Sequence, residues 1–411
     1  MEMTRDIAIL RDLAKRYMEI ALSEKHVRMR RRFRDTNDLK IVRPPLIIEE
    51  IPWAQMNIDG ELDCICEHEE FRGTEYFFRE RLFHEKYFAC DNYIEPFFPV
   101  WKSFTSTGNG LDVKERAIFE PTAGAGSHHY EDVLPDEKAL AAFHAPVITA
   151  HPEIDAYHLE KAAELFGDSI PVKLLGHGIY YAPWDQIAMY RGVEPILYDL
   201  YDRPEFLHRI ISAFTDGMKA EMDQMEALGL YESVAVSVHS TPGYVTVPDP
   251  SSDGKTRCKD IWFRTMAQMF AAVSPAAHEE FDVAYSVPLA ARCGVTYYGC
   301  CEPLHDRIGI LKRYPNLRKI GVSPWADVEA CAEQIGGDYV MSRKPNPANV
   351  ALKTDPDVIR KEITDTVRVC LKYGCPLDIT LKDITTVRND PSNLIVWAKA
   401  ASEVLDCYYG E

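Results

Sequence analysis

The chain has 411 residues, 46% apolar and 27% charged, with a formal net charge of −18. That composition fits a folded chain long enough for one large domain or two medium ones. The acidity disfavours a nucleic-acid backbone as partner, and no run approaches the roughly 18 apolar residues of a membrane span.

The opening Met1-Glu2-Met3-Thr4-Arg5-Asp6 lacks the apolar core of a secretory signal. The eleven cysteines are odd in number, which suggests a reducing, cytoplasmic setting with thiols free or metal-bound. Ile7, Leu10, Leu13, Ala14, Tyr17 and Met18 recur at helical spacing, so 4–36 reads as one helical region. Its Arg28–Arg34 stretch is strongly basic, fit for solvent or for an acidic partner. Residues 1–42 are therefore expected to form a helical extension, followed by one domain over 43–411.

From residue 43 short apolar runs alternate with helical stretches. Strands are predicted at 45–48, 92–99, 170–175, 233–238, 295–300, 319–323, 338–342 and 376–381. Helices are predicted at 203–229, 274–293, 304–314, 326–336, 355–374 and 390–407. The Gly-rich stretch 122–126 lacks the Lys-Ser/Thr of a phosphate loop and reads as a turn. Strand–helix alternation with continuous apolar strands implies a buried parallel sheet. About eight such units close a (β/α)8 TIM barrel. An open doubly wound sheet is the other solution, but no Gly-x-Gly-x-x-Gly follows the first strand.

In a parallel barrel, functional side chains gather where strands end. That rule selects Glu49, Glu50, Glu95, His177, His239, Cys300, Cys301, Glu302, Ser323, Trp325, Asp327, Arg343, Lys344, Lys382 and Asp383. If the strand runs to Glu302, Cys300 and Glu302 share a face, and His239 ends the preceding strand. A Cys, a Glu and a His with an open position suit a catalytic zinc, with Cys301 as the alternate ligand; buried structural cysteines are the competing reading. Glu49, Glu50 and His177 are candidate acid–base groups. Arg343, Lys344 and Lys382 suit a substrate carboxylate or phosphate, and Trp53, Trp184 and Trp325 are candidate pocket walls.

From about residue 195 onward the chain resembles a known superfamily. Asp202-Arg203-Pro204-Glu205-Phe206 is similar to its D-x-P-E-F segment, and Ser274-Pro275 followed by Glu280-Phe281 to a helix start. Gly337-Asp338 and then Pro345-Asn346-Pro347-Ala348 are similar to its G-D and G-N-x-D-P stretch. The superfamily holds uroporphyrinogen decarboxylase and the cobalamin-dependent methyltransferases, and the match to it is looser in the N-terminal third. The resemblance implies a single barrel and two competing chemistries. For the decarboxylase it implies arginines after the first strand, where this chain has Glu49-Glu50-Ile51-Pro52-Trp53. For the methyltransferases it implies zinc held by an H-x-C on the fifth strand and a later cysteine. Here the match reads Tyr298-Gly299-Cys300, so the cysteine is kept and the histidine is not.

The function expected from this is transfer of a methyl group from a small methoxylated or methylamine-type substrate to a corrinoid. The corrinoid is expected on a separate partner protein, because no D-x-H-x-x-G motif is present. Zinc assistance and a homodimer are further expectations. The alternatives are a decarboxylase acting on a small carboxylic acid and a non-catalytic ligand-binding barrel.

Overall fold

The computed structural model describes residues 2–119, 126–232, 238–246 and 254–410. Its strands are β1 (Leu46–Ile48), β2 (Phe98–Trp101), β3 (Phe104–Ser106), β4 (Glu115–Phe119), β5 (Gly126–Tyr130), β6 (Ile148–Ala150), β7 (Val172–Leu175), β8 (Ile179–Tyr181), β9 (Trp262–Thr265), β10 (Val295–Tyr298), β11 (Leu317–Val322), β12 (Val340–Arg343) and β13 (Leu377–Leu381). Seven of them form one parallel sheet in the order β1-β13-β12-β11-β10-β9-β8. Connections that return a strand parallel to its neighbour need a crossover, and helices supply it here. Among them are Val328–Ile335 between β11 and β12 and Pro356–Tyr373 between β12 and β13, while Ser392–Tyr409 follows the last strand.

β2 pairs in parallel with β7, and β7 leads into β8 through Gly176-His177-Gly178. A side chain at Gly176 would sit 2.4 Å from the Tyr231 carbonyl, so only glycine permits that approach. No ladder joins β1 to β2 among the described residues. Instead Asp91 N–H donates to Leu46 O (2.6 Å). The Asn92 side chain donates to Ile48 O (2.9 Å) and accepts from Ile48 N–H (3.0 Å). Among the described residues the strands therefore form one seven-stranded sheet and three short pairs.

The register sorts the sheet into two unlike faces. Ile47 pairs with Thr380, Asp378 with Ser342, Ser342 with Gly321, Lys319 with Tyr297, Tyr297 with Arg264, and Arg264 with Tyr180. Paired residues point to the same side, so this inner face is polar. The outer face carries Ile48, Ile379, Leu381, Met341, Ile320, Val322 and Phe263, buried in one cluster with Leu394, Trp397 and Ile363 of the helices. Each large aliphatic side chain withdrawn from water there contributes on the order of 2 kcal/mol.

The N-terminal region is two helices, Glu2–Ala21 and Glu24–Asn37, where one was expected. Ser23 separates them: its backbone is extended, and its hydroxyl accepts from His26 N–H at 3.4 Å. The first helix buries Leu10, Leu13 and Tyr17 against Phe78 and Phe166. Part of the basic stretch turns inward. Arg30 lies over the Tyr244 ring and Arg32 pairs with Asp91, which also binds Arg43 at 2.9 Å.

The predicted elements after residue 295 match the observed ones closely, except 304–314, where only Ile308–Leu311 is helical. The predicted 92–99 strand forms at 98–101, and β3 to β6, β8 and β9 were not anticipated. The predicted 233–238 strand lies outside the described residues except Val238, as does most of the Gly-rich 122–126 stretch.

Candidate active site at the strand ends

The polar inner face is held together by one carboxylate. Asp378 accepts from Lys319 Nζ (2.6 Å), Ser342 Oγ (2.7 Å) and Thr241 Oγ1 (3.3 Å). Burial pushes its pKa up, but Lys319 and then Lys344 outweigh this and hold it below the usual carboxylate range. Lys344 Nζ donates to Ser342 Oγ at 2.9 Å. Burial lowers its pKa to about 8, with Asp378 acting against that shift.

The chain leaves the sheet at Tyr298, and this changes the expected zinc set. Gly299 has φ +109, a conformation side chains rarely adopt, and packs tightly against Gly321 of the next strand, where a Cβ would lie 3.2 Å from its carbonyl carbon. The alternation that would align Cys300 with Glu302 therefore stops before it reaches them. Glu302 turns back and accepts the Cys300 N–H at 3.0 Å. The Cys300 thiol lies 3.4 Å from that of Cys301, whose sulfur lies 3.3 Å from Asp383 Oδ2. His239 packs its ring edge-on against Tyr297, centroids 5.4 Å apart. Among the described residues, no group of three or more His, Cys, Asp or Glu side chains is arranged to hold a metal ion. His239, Cys300 and Glu302, with Cys301 as alternate, do not fit zinc as placed.

Cys300 retains a distinctive chemistry. The hydrogen bond from Cys301 lowers its pKa, burial raises it, and Lys382 lowers it, with a net shift downward. Cys301 shifts upward, because its proton is the one shared with Cys300. Lys382 stays firmly protonated despite burial, held by Cys300 and by Asp383 at 2.9 Å.

At the end of β1, Glu49 is half-buried and accepts from Asn92 Nδ2 at 3.3 Å. Burial raises its pKa to about 7, with Arg81 working against and Glu50 with the shift. It lines a cavity of about 190 Å³ with Glu50, Trp53, Arg81, His84 and Tyr93. Glu50, at φ +54, instead binds Asp383 N–H at 2.9 Å and faces Lys382 at 3.4 Å.

Other residues singled out by strand position have structural partners. His177 Nε2 lies 2.7 Å from the Lys102 carbonyl, and its backbone bridges to Leu230 and Glu232. Arg343 is on the apolar side of the sheet, donating to Ser323 O at 2.5 Å and facing Glu362 at 3.3 Å. Asp327 caps the helix Val328–Ile335, and Glu95 binds the Tyr244 hydroxyl. Trp184 is fully buried, its indole N–H on Phe281 O at 3.0 Å; Trp325 is exposed. Ser323 is buried, its hydroxyl without a hydrogen-bond partner among the described residues.

Sequence reasoning missed Arg264, Asp185, Lys319 and Asp378. Asp185 borders a larger cavity of about 810 Å³ with Tyr180, Phe214, Met218 and Glu221. Burial, then Glu302, raises its pKa to about 6. The missed signal was a strict alternation inside runs read as apolar. Lys319-Ile320-Gly321-Val322-Ser323 and Asp378-Ile379-Thr380-Leu381-Lys382 put every second residue on a polar face.

No protein-family description and no curated protein sequence matches the chain. Among solved structures, a methyltransferase from Methanosarcina mazei is similar with a TM-score of 0.49 at 12% identity, over 93% of this chain and 99% of that one. No helix among the described residues is long and apolar enough to cross a membrane.

Proposed function

We propose that this chain is a methyltransferase that demethylates a small methoxylated compound or methylamine. In this reading β1, β2, the β7–β8 run and β9 to β13 are the eight staves of a (β/α)8 barrel, and residues 1–42 an appended helical segment. The observation that carries the reading is Glu49: a half-buried carboxyl on a strand end, in a cavity wall, that keeps its proton near neutral pH. Departure of a methyl group from an ether leaves an alkoxide or phenoxide that needs a proton. Glu49 donates it and becomes the carboxylate, which Arg81 then faces. Glu50, Asp383 and Lys382 brace the rim beside it. Of the two chemistries that the sequence resemblance implies, this is the methyltransferase one.

The methyl acceptor in this reading is a corrinoid carried by a separate protein, which supplies a cobalt nucleophile. No step is assigned to zinc, since His239, Cys300 and Glu302 do not converge on one point. The setting is cytoplasmic, and a homodimer is compatible with it. The second reading, a decarboxylase, draws on the lysines of the inner face, which suit a carboxylate.

The test supplies 4-methoxybenzoate, methoxybenzene or a methylamine with free cob(I)alamin. Methylcobalamin formation, followed by absorbance, is expected from one of them, and Glu49→Gln should lower the rate by about 10²–10⁴-fold. Carbon dioxide release without methyl transfer would replace this reading with the decarboxylase. Neither reaction, with tight binding, would leave a ligand-binding barrel.

A further inference from the structure

The structure assigns to the mouth of the inner face a carboxylate-binding subsite built from Arg264, His239 and Lys344. The three groups converge on Tyr297. Arg264 is its register partner on β9, the His239 ring lies 5.4 Å from its ring, and Lys344 Nζ lies 5.9 Å from its centroid.

Each group has unused binding capacity. Arg264 Nε and His239 Nε2 are buried with no hydrogen-bond partner among the described residues. Arg264 makes no ion pair there; its guanidinium lies 4.3 Å over the Tyr180 ring. His239 is 6% exposed and Lys344 2%. Burial, then the charges of Lys344, Arg264 and Lys382, keeps His239 neutral, so it offers one N–H without adding charge.

The local charge is unbalanced. Lys319 and Lys344 share one carboxylate, Asp378, and its shortest contact is to Lys319. Lys382 is matched by Glu50 and Asp383; Arg264 makes no salt bridge among the described residues, although the nearby carboxyl of Asp185 feels its charge. Arg264 is half-buried, and a partly desolvated cation without a salt-bridge partner gains from a ligand carboxylate. His239 and Ser240 also hold φ of +49 and +62, a sparsely populated conformation for residues other than glycine. Backbone held this way clusters at ligand sites.

The charge of the ligand follows from the neighbours. Asp185 lies near both Arg264 and Glu302, and Glu50 and Asp383 flank Lys382. These acids repel a second negative charge, so a monoanionic carboxylate fits and a phosphate dianion does not. The substrate class of the proposed reaction becomes a small methylated carboxylate. This rests on the strand-end mouth being the substrate site, and binding, not turnover, tests it.

Calorimetry on the whole chain compares 4-methoxybenzoate, methoxybenzene and inorganic phosphate. The carboxylate should bind, and Arg264→Gln and Lys344→Gln should each weaken it about 10- to 100-fold, the range of a charge-assisted hydrogen bond. Methoxybenzene should bind the unaltered protein more weakly by a similar factor, a comparison that holds even if a variant misfolds. Equal binding of methoxybenzene and 4-methoxybenzoate, undiminished binding in folded variants, or phosphate binding tighter than the carboxylate would each overturn the subsite. Carboxylate binding without methyl transfer would refute the proposed reaction and leave the subsite standing.

Discussion

Replacing Asp378 by Ala tests whether one buried carboxylate organises the polar face of the sheet. Asp378 is fully buried and receives Lys319 Nζ at 2.6 Å, Ser342 Oγ at 2.7 Å and Thr241 Oγ1 at 3.3 Å. Its removal strands the Lys319 ammonium, itself 1% exposed, and costs Lys344 a facing charge. Breaking a buried pair by removing one partner costs about 3–5 kcal/mol, mostly the uncompensated charge. Joint replacement, Asp378→Leu with Lys319→Met, removes both charges and should recover much of the loss. Because the folded pKa of Asp378 is depressed, its contribution is present above the unfolded carboxylate pKa near 4 and is lost as pH falls through the folded value. Urea unfolding at pH 7 and at pH 3, followed by tryptophan fluorescence, measures both effects. A loss under about 1 kcal/mol for Asp378→Ala, or a double variant no better than the single one, would refute an electrostatic keystone.

Glu49 acts in its protonated form, so the methyl-transfer rate should be constant below neutrality and decline as pH rises through about 7. A flat profile to pH 9 would remove it from the chemistry. The Cys300 and Cys375 thiols should both titrate below the usual thiol range, read by thiolate absorbance; Cys301→Ala should move the Cys300 step upward by removing the hydrogen bond, and Cys300→Ser should remove that step and leave the one from Cys375. Gly176→Ala forces a methyl within 2.4 Å of the Tyr231 carbonyl and should destabilise the chain by about 1–3 kcal/mol, read as a lowered thermal midpoint. Gly178→Ala, which meets no atom within 4 Å, is its control.

Much of the fold was readable along the chain. Apolar runs such as Leu377–Leu381 and periodic stretches such as Pro356–Tyr373 are local signals, long enough to stand above noise. β8 and β9 were missed, and it is pairing with neighbours that makes them strands. That Glu49, Lys344 and Lys382 stand at strand ends also followed from sequence order. Residue order determined which groups stand at strand ends, because alternation and turn chemistry are local. Only the tertiary structure decided which of those groups meet. Gly299 bends the backbone before Cys300, so that Glu302 turns back onto the Cys300 N–H, and parallel register across three strands sets Arg264, Tyr297 and Lys319 in one row. Those distances depend on contacts between residues remote in sequence, which alternation along one strand does not encode.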